Sequence, residues 1–565
     1  MSIFSKLIPL AKKQVTGHSA RSEQSVRELV SDLDNSSPVR YLKDITDRLA
    51  EIKGLGEKFG AEAAQTAYLQ LDQSGHAVAN ELLHKYLFSS TREASSRIEY
   101  SALDSHAAEL IAAHTGIYGE LMPLTQSDAE RNRVARDAVS MLRAWSLRKK
   151  LQNFQYQKAS AALWRQAHDL LVLLIEHKLE QVLVIPYAAE SATTPLREYL
   201  NGAYFDCLPA GNLFPQQQEI LDRFLRSCER LQFTAELETN STHYIDLLKA
   251  NGPQARKDQN PSGYSLHFLS TIHLHEKLVG LADRLAAGQD VPKWLSSISV
   301  SNALKETALR SVGKHWSARP PYRLTARRSV IGELRVVIGF DAAYQMITAS
   351  QDVRAYSVQA SAPQSDATSP VGLTQSPAAM TVGSPFDLLL QIEATGRTAT
   401  TLSLETVGAR PSIETWHLAD ISASGFGATL PALLARHSVG ALIAFRPADG
   451  VNWRLGLIRR AGRDANNRPL VGVEVIDDEA ICAHANLINS ESESESVWAE
   501  GEDAAGWSNI IFLKQGGDEL LLSHTGFSAG KQVRVTSAEG SWNIRLDTLL
   551  DRGTDYDRVK FTLAP

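Results

Sequence analysis

Residues 319–328 read Arg-Pro-Pro-Tyr-Arg-Leu-Thr-Ala-Arg-Arg, and they stand where the character of the chain changes. Before them the apolar residues have helical spacing, and after them β-branched residues become frequent. Residues 310–335 contain six arginines and one lysine against a single acid, which gives a local net charge of about +6. Guanidinium groups bind phosphates through paired hydrogen bonds and stack on nucleobases. This basic segment therefore predicts a site for a phosphate-bearing ligand.

A second polar motif, Asp420-Ile-Ser422-Ala-Ser-Gly425, follows a strand-like segment about ninety residues later. A carboxylate can accept hydrogen bonds from the edge of a guanine base, and a serine hydroxyl can donate or accept beside it. Glycine permits a positive-φ turn that brings the backbone close to a ligand. The second motif is therefore predicted to read a base.

Together, Arg323-x-x-x-Arg327 and Asp420-x-Ser422-x-x-Gly425 resemble the two signatures of the PilZ domain, a bacterial receptor for cyclic di-GMP. The resemblance covers residues 319–348 and 413–477 and implies a six-stranded antiparallel β-barrel. Three later segments resemble strands of that barrel: Gly440–Phe445, Trp453–Arg459 and Val471–Ile476.

The resemblance also implies the ligand, cyclic di-GMP, which this family often binds as an intercalated dimer. Arg323 and Arg327 are expected to clamp phosphates and stack on guanine, and Arg319 and Arg328 could reinforce them. Asp420 and Ser422 are expected to read a guanine edge. The third residue of the second motif, Gly425, is expected to shape the loop.

The two motifs lie farther apart here than is usual in PilZ domains. Residues 350–385 are rich in Ser, Ala, Pro, Gln and Thr, which predicts a flexible linker or long loop inserted after the strand Leu334–Ile338. Alternatively, Phe386–Arg410 supplies the first strand. The arginines would then lie outside the barrel, which would be an interaction module without a ligand.

The composition is that of a globular protein, with 43% hydrophobic and 22% charged residues among 565, and this length predicts three or four domains. We expect a multidomain α+β chain with a large N-terminal all-α domain, a PilZ-like six-stranded antiparallel β-barrel and a small C-terminal all-β domain. The predicted segments are a basic N-terminal stretch (1–24), the helical domain (25–312), the barrel (313–480, with an inserted linker at 349–412), an acidic Ser/Glu linker (481–500) and the small β domain (501–565).

The start of the helical domain is predicted from a helix N-cap and from the spacing of apolar residues. Ser37-Pro38 is typical of a helix N-terminus, and the apolar residues that follow recur every three or four positions, at Leu42, Ile45, Leu49 and Ile52. Residues 1–22 carry four basic and no acidic residues among apolar ones. We expect a short terminal helix there, frayed or packed on the protein, with peripheral contact to a membrane surface as the alternative.

Several functions are disfavoured by what the sequence lacks. The three cysteines, Cys207, Cys228 and Cys482, fit neither a disulfide framework nor a zinc spacing, and no segment is apolar for the ~20 residues that span a bilayer. Gly526-Phe-Ser528-Ala-Gly530 matches the G-x-S-x-G motif of hydrolases, but no histidine follows Ser528 to complete a catalytic triad. We expect no enzyme, no catalytic residue, no metal and no cofactor.

We therefore expect a cytoplasmic effector, which could be membrane-associated, in which cyclic di-GMP reorients the helical domain. That change would regulate an unidentified protein partner in motility, attachment or an envelope process. A nucleotide-independent scaffold or adaptor is the alternative. A nucleic-acid binder is disfavoured because the basic segment is short and the net charge is −6.

Overall fold

The computed structural model divides into two compact units, Met1–Pro321 and Tyr322–Pro565. It describes residues 33, 36–54, 60–88, 93–188, 190–256, 261–319, 327–360, 411–464, 466–487, 507–523, 527–537 and 540–564. The helix predicted within residues 1–22 lies outside these residues. Within the described ranges, no helix has the length and apolar character needed to cross a membrane.

The described part of the first unit is mainly helical. Its α-helices, in chain order, are α1 (Pro38–Gly54), α2 (Ala61–Phe88), α3 (Glu93–Leu121), α4 (Asp128–Phe154), α5 (Ala161–Glu176), α6 (Pro195–Asp206), α7 (Pro215–Ser227), α8 (Ile272–Ala286), α9 (Lys293–Ser296) and α10 (Asn302–Trp316). Short 3₁₀ turns lie at Met122–Leu124 and Ala210–Asn212.

The helix predicted after Ser37 is confirmed. Helix α1 begins at Pro38, and the Ser37 hydroxyl accepts from the backbone N–H of Arg40. All four predicted apolar positions are fully buried: Leu42, Ile45, Leu49 and Ile52. One side of α1 therefore packs into the core of the unit, as its period of three and four requires.

A small antiparallel sheet interrupts the helices of the first unit. Its strands are β1 (His243–Asp246), β2 (Gln254–Ala255) and β3 (Leu266–Leu269), in the order β2-β1-β3. The apolar periodicity of the sequence predicted only helices for this region. Strands of two to four residues are too short for an alternating pattern to be visible in the sequence.

The second unit begins with a closed barrel. Its strands are β4 (Arg328–Ser329), β5 (Glu333–Ile338), β6 (Glu414–Ser422), β7 (Gly425–Thr429), β8 (Leu442–Pro447), β9 (Arg454–Arg463) and β10 (Pro469–Asp477). Antiparallel pairing runs β5-β6-β7-β10-β9-β8 and returns to β5, so six strands close the ring. The predicted six-stranded barrel is confirmed, and we call it the first barrel.

The short strand β4 decides which segment opens the first barrel. It pairs with β6 through Ser329 opposite Asp420, and β5 continues along the same side of β6 with Glu333 opposite His417. The chain immediately after Arg327 therefore enters the barrel. The alternative in which Phe386–Arg410 supplies the first strand, leaving the arginine motif outside, is wrong.

The segment after β5 differs from the prediction of a linker from residue 349. Helix α11 (Phe340–Ala360) begins two residues beyond the strand. Residues 361–410, which include most of the predicted linker, lie outside the described residues. Phe340, Ala343 and Ile347 are buried at spacings of three and four, so the part of this helix that precedes the predicted linker has an apolar face.

A second closed barrel follows: β11 (Ile481–Leu487), β12 (Trp507–Leu513), β13 (Glu519–Ser523), β14 (Gln532–Ser537), β15 (Gly540–Arg552) and β16 (Tyr556–Ala564). The all-β C-terminal region is confirmed, but it starts at residue 481 rather than 501. The predicted boundary missed β11 because the acidic Ser/Glu stretch, which lies outside the described residues, stands between β11 and β12 rather than before the barrel.

The two barrels have the same topology. Numbered within each barrel from one to six, the strands pair around both rings in the order 1-2-3-6-5-4. They also share a core with helix α11, whose apolar face contacts residues of both barrels, such as Leu442 and Ile511. The second unit is therefore one packed body rather than two domains on a linker.

Buried histidines in the first unit predict acid sensitivity. Burial lowers the pKa of His106 and of His168 to about 4. An unfolded histidine has a pKa near 6.5, so the unfolded chain takes up protons first as the pH falls. Each histidine should therefore cost the folded state roughly 3 kcal/mol between pH 6.5 and pH 4.

The measurement is the free energy of unfolding of wild type and His106→Gln at pH 7.5 and pH 4.5. Stability should fall less on acidification in the variant, because one of the buried neutral imidazole rings is gone. The same loss of stability in both proteins would contradict the assignment of His106 as a neutral buried base.

Candidate functional site

The site predicted from the two motifs is assembled on the first barrel. Arg327 stands directly before β4, Asp420 and Ser422 lie near the end of β6, and Gly425 opens β7. Since β4 and β7 flank the end of β6 on opposite sides, three chain segments bring these residues together. Residues 93 positions apart in the sequence thus become neighbours.

Arg327 and Asp420 form an ion pair with good geometry. Nη1 of Arg327 donates to Oδ1 of Asp420 at 2.7 Å and to Oδ2 at 3.0 Å. Both side chains keep about a quarter of their surface exposed, 26% and 25% respectively. The pair is therefore held in place but open to solvent on one side, which a ligand can approach.

The turn between β6 and β7 is closed by the second motif itself. The hydroxyl of Ser422 donates to the carbonyl oxygen of Gly425 at 3.2 Å, and these two residues are the last pair of the hairpin. The carbonyl of Ser424 accepts from the N–H of Val475 on β10 at 3.0 Å. The hairpin end is thus fixed to a neighbouring strand, so the Asp420 side chain stands on a rigid base.

Gly425 is required for a different reason from the one that the sequence suggested. Its φ is not in the positive region, so no left-handed turn demands glycine here. Instead, a Cβ at this position would collide with the carbonyl oxygen of Val473 and crowd the backbone of Glu474. Gly425 lets β7 approach β10 closely, which holds the hairpin on the barrel.

For the other predicted arginines the structure describes fewer contacts. Arg328 is exposed on β4, opposite Ile421 of β6. Arg319 follows the last helix of the first unit, and Arg323 lies outside the described residues. Phosphate contacts by Arg319, Arg323 and Arg328 stay predictions.

The second barrel lacks this chemistry at the matching place. Its corresponding hairpin ends with Leu513 opposite Glu519, and Ile511 lies two residues earlier, at the register that Asp420 has in the first barrel. Both Leu513 and Ile511 are buried in the core shared with helix α11. The face that is polar and open on the first barrel is apolar and covered on the second.

The first unit also contains a charged cleft that no sequence motif predicted, with a volume of about 1630 Å³. It is lined mainly by α2, α4, α6 and α7 and by the chain between residues 181 and 194. Helices distant in sequence supply its charges, so no local motif marks it. The sequence showed only the regular spacing of apolar residues within each helix.

Ion pairs line this cleft in an unbroken chain. Arg143 bonds to Glu190 at 2.5 Å and to Glu198 at 3.1 Å, and Arg226 then joins Glu198 to Asp222. Lys150 continues the chain from Asp222 to Glu219. Burial would raise the pKa of Glu190, but hydrogen bonds from His76 and Arg143 lower it to about 2. Charged groups in such a setting bind partners of defined charge pattern or hold helices in register.

No group of three or more metal-ligating side chains that could hold an ion occurs among the residues that the structure describes. His275, which lies near His267 and His273 in the sequence, forms a hydrogen bond between its Nδ1 and the carbonyl oxygen of Gly313 at 2.7 Å.

Comparison with known families bears on the helical unit. Residues 24–236 match the family model of the cyclic-di-GMP receptor FimW, N-terminal domain. The match supports a link to a cyclic-di-GMP receptor family. It spans helices α1 to α7, whose residues form most of the charged cleft, and it ends before the first barrel. No curated protein matches the chain.

Proposed function

We propose that this chain is a bacterial receptor for cyclic di-GMP in which the first barrel is a PilZ-type domain that binds the nucleotide. The observation that carries the proposal is the pair formed by Arg327 and Asp420, which joins the two sequence motifs on one closed barrel. The receptor-family match of residues 24–236 supports it independently, because it comes from a different part of the chain.

The geometry suggests how the ligand is held. Both contacts from Arg327 to Asp420 use Nη1, and Nη2 points toward Gly472, about 3.9 Å from where a Cβ on that glycine would stand. A phosphate can take the remaining donors of the guanidinium, while the further lone pairs of the two Asp420 oxygens can accept from N1–H and N2–H of guanine. The ion pair thus presents a donor group for phosphate beside an acceptor group for the base.

The surface that passes the nucleotide signal to a partner protein is proposed to lie in the helical unit. The basic segment of residues 319–328 joins the two units along the chain, so a ligand that neutralises it would change how the helical unit is held. Partner binding at the charged cleft would then respond to the nucleotide. Motility, surface attachment or an envelope process is the proposed setting, because PilZ proteins commonly serve these.

The test is titration calorimetry of the full chain with cyclic di-GMP, cyclic di-AMP, GMP and GTP at one fixed salt concentration. We expect micromolar or tighter binding of cyclic di-GMP. Cyclic di-AMP should bind more weakly because adenine lacks the N1–H and N2–H donors that a carboxylate recognises, and GMP and GTP should bind more weakly because each has one guanine rather than two. We expect one binding barrel per chain, since Ile511 and Leu513 replace the polar residues in the second barrel.

Absence of both heat and a thermal shift at saturating cyclic di-GMP would contradict the receptor. The chain would then be a nucleotide-independent scaffold. Equal binding of all four nucleotides, falling steeply as salt rises, would instead indicate an unspecific polyanion site.

A further inference from the structure

In the charged cleft of the first unit, the carboxylates of the ion-pair chain are mostly buried while the arginines are partly exposed. The side chains of Glu198 and Asp222 keep 3% of their surface exposed, and that of Glu219 keeps 5%. By contrast, the side chains of Arg223 and Arg226 each keep 33%. The buried acids therefore hold guanidinium groups that the solvent in the cleft can still reach.

The network leaves donors of both arginines unused. Arg226 bonds to Asp222 through Nε and to Glu198 through Nη1, and Arg223 bonds to Glu219 through Nε. Nη2 of Arg226 and both terminal nitrogens of Arg223 have no hydrogen-bond partner among the residues that the structure describes. These N–H groups are preoriented donors for an anion.

The exposed charge of the cleft is positive on balance. Arg197 lines it and bonds through Nη2 to two backbone carbonyl oxygens at the C-terminus of α7. Arg230 lines it too, is exposed, and has no ion pair with any residue in the described ranges. The acids of the lining that are not buried are Glu190, already paired with two cations, and Glu229.

An exposed apolar side chain lies in the same cleft. Leu183 lines it with 66% of its surface exposed, and Ile185, two residues on, is exposed as well. Val184 between them is buried and exchanges two backbone hydrogen bonds with Thr193, both at 2.9 Å. The loop is therefore fixed in place, and its apolar side chains are ready for a partner to cover.

We propose that this cleft binds an acidic segment of a partner protein, whose Asp or Glu side chains pair with Arg223, Arg226 and Arg230 and whose apolar side chain packs on Leu183. The inference rests on the part of the proposed function that places partner binding in the helical unit. The cleft volume of about 1630 Å³ exceeds the roughly 300–1,000 Å³ of small-molecule pockets, which favours a peptide. Arginine clusters are a recurring means of recognising acidic motifs, and preorganised groups lose less entropy on binding.

Two of the arginines can be removed without breaking contacts between helices. Arg226 joins α6 to α7 through Glu198, so its loss would also loosen the fold. Arg223 pairs with Glu219 of its own helix, and Arg230 belongs to no described ion pair. The double variant Arg223→Ala/Arg230→Ala should therefore melt close to wild type and test recognition alone.

The probe is a displayed library of short random peptides, selected on the full chain in the absence of nucleotide. We expect enrichment of sequences that combine Asp or Glu with an apolar residue. By fluorescence anisotropy, the best of them should bind Arg223→Ala/Arg230→Ala at least about 10-fold more weakly than wild type, the usual worth of one charge-assisted contact. The same peptide with Gln and Asn in place of its acids should lose affinity for wild type to a similar extent.

The matched control is Arg165→Ala/Arg310→Ala, which should bind the peptide like wild type. It also removes two positive charges from the first unit, at arginines of similar exposure that pair with an acid four residues away and lie outside the cleft lining. If Arg223→Ala/Arg230→Ala does not fold, Leu183→Glu decides. This change puts a negative charge in the cleft and should weaken peptide binding, whereas Leu237→Glu, at an exposed leucine outside the lining, should not.

The proposal is overturned if no peptide is enriched, if the enriched peptides lack acids, or if wild type and the cleft variant bind equally. Equal losses in the cleft variant and the control would overturn it as well, because they would show an effect of net charge. The selection contains no cyclic di-GMP. A chain that binds the acidic peptide but not the nucleotide therefore disproves the receptor and leaves the cleft standing, and the reverse result does the opposite.

Discussion

Arg327→Ala should weaken cyclic di-GMP binding by about 10- to 100-fold, because it removes a charge-assisted contact worth ~1.5–3 kcal/mol. The loss has a second cause in this structure. Without the guanidinium, the Asp420 carboxylate that it contacts at 2.7 Å would face an anionic ligand uncompensated. Arg327→Ala is therefore expected to be more damaging than Asp420→Ala.

The same ion pair predicts the behaviour of the double variant. Arg327→Ala combined with Asp420→Ala should bind better than the sum of the two losses implies, because removing the carboxylate also removes the repulsion that the first change exposed. Titration calorimetry of the four proteins gives the coupling directly. Strictly additive losses would show that the two residues act on the ligand independently.

The control is Arg468→Ala, which makes the same change of charge in the same barrel at a side chain that is 64% exposed. It should leave binding unchanged. If Arg327→Ala lowers affinity no more than Arg468→Ala does, the loss is a general effect of net charge and the site is elsewhere.

Gly425→Ala should destabilise the second unit by about 3 kcal/mol, the upper end of the typical cost of overpacking, because the added atom meets rigid backbone. The added Cβ would collide with the carbonyl oxygen of Val473 and lie 3.1 Å from Cα of Glu474. These are backbone atoms of the neighbouring strand, so relief requires β7 and β10 to separate. For a unit of this size the melting temperature should fall by roughly 6–12 °C.

Differential scanning calorimetry of the full chain checks this result, with Gly462→Ala as the matched glycine control. A Cβ at Gly462 meets nothing within 4 Å, so that variant should melt with wild type. A Gly425→Ala protein that melts like wild type yet fails to bind nucleotide would contradict the packing role. It would instead support the role predicted from the sequence, in which Gly425 shapes the ligand-binding loop.

Much of the first barrel was predictable because its signals are local. The β-branched residues of Leu334–Ile338 and Val471–Ile476 predict strands, and the glycine of Asp420–Gly425 predicts the turn that the structure places between β6 and β7. The reason for Gly425 was mispredicted. Close approach of a second strand requires glycine as firmly as a positive φ does, and a single sequence shows neither the strand nor its distance.

Three features could not be predicted because they depend on pairing between distant segments. The end of helix α11 was predicted as linker because residues 350–360 continue into a stretch rich in Ser, Ala, Pro, Gln and Thr, and the packing of the helix on both barrels is not visible in the sequence. The second barrel was given the wrong start because Ser/Glu-rich residues separate β11 from β12. The charged cleft joins Arg143, Glu198 and Asp222 from three different helices, and no sequence period relates them.

The sequence by itself determined the helices of the first unit, most strands of the second and the residue types of the candidate site, because periodicity, caps and turns act over a few residues. Only the tertiary structure decided that Arg327 and Asp420 meet and that the two barrels share one topology. These relations follow from strand register and ring closure. Register is set by hydrogen bonds between segments that can lie a hundred residues apart, so it becomes visible only when the sheet is formed.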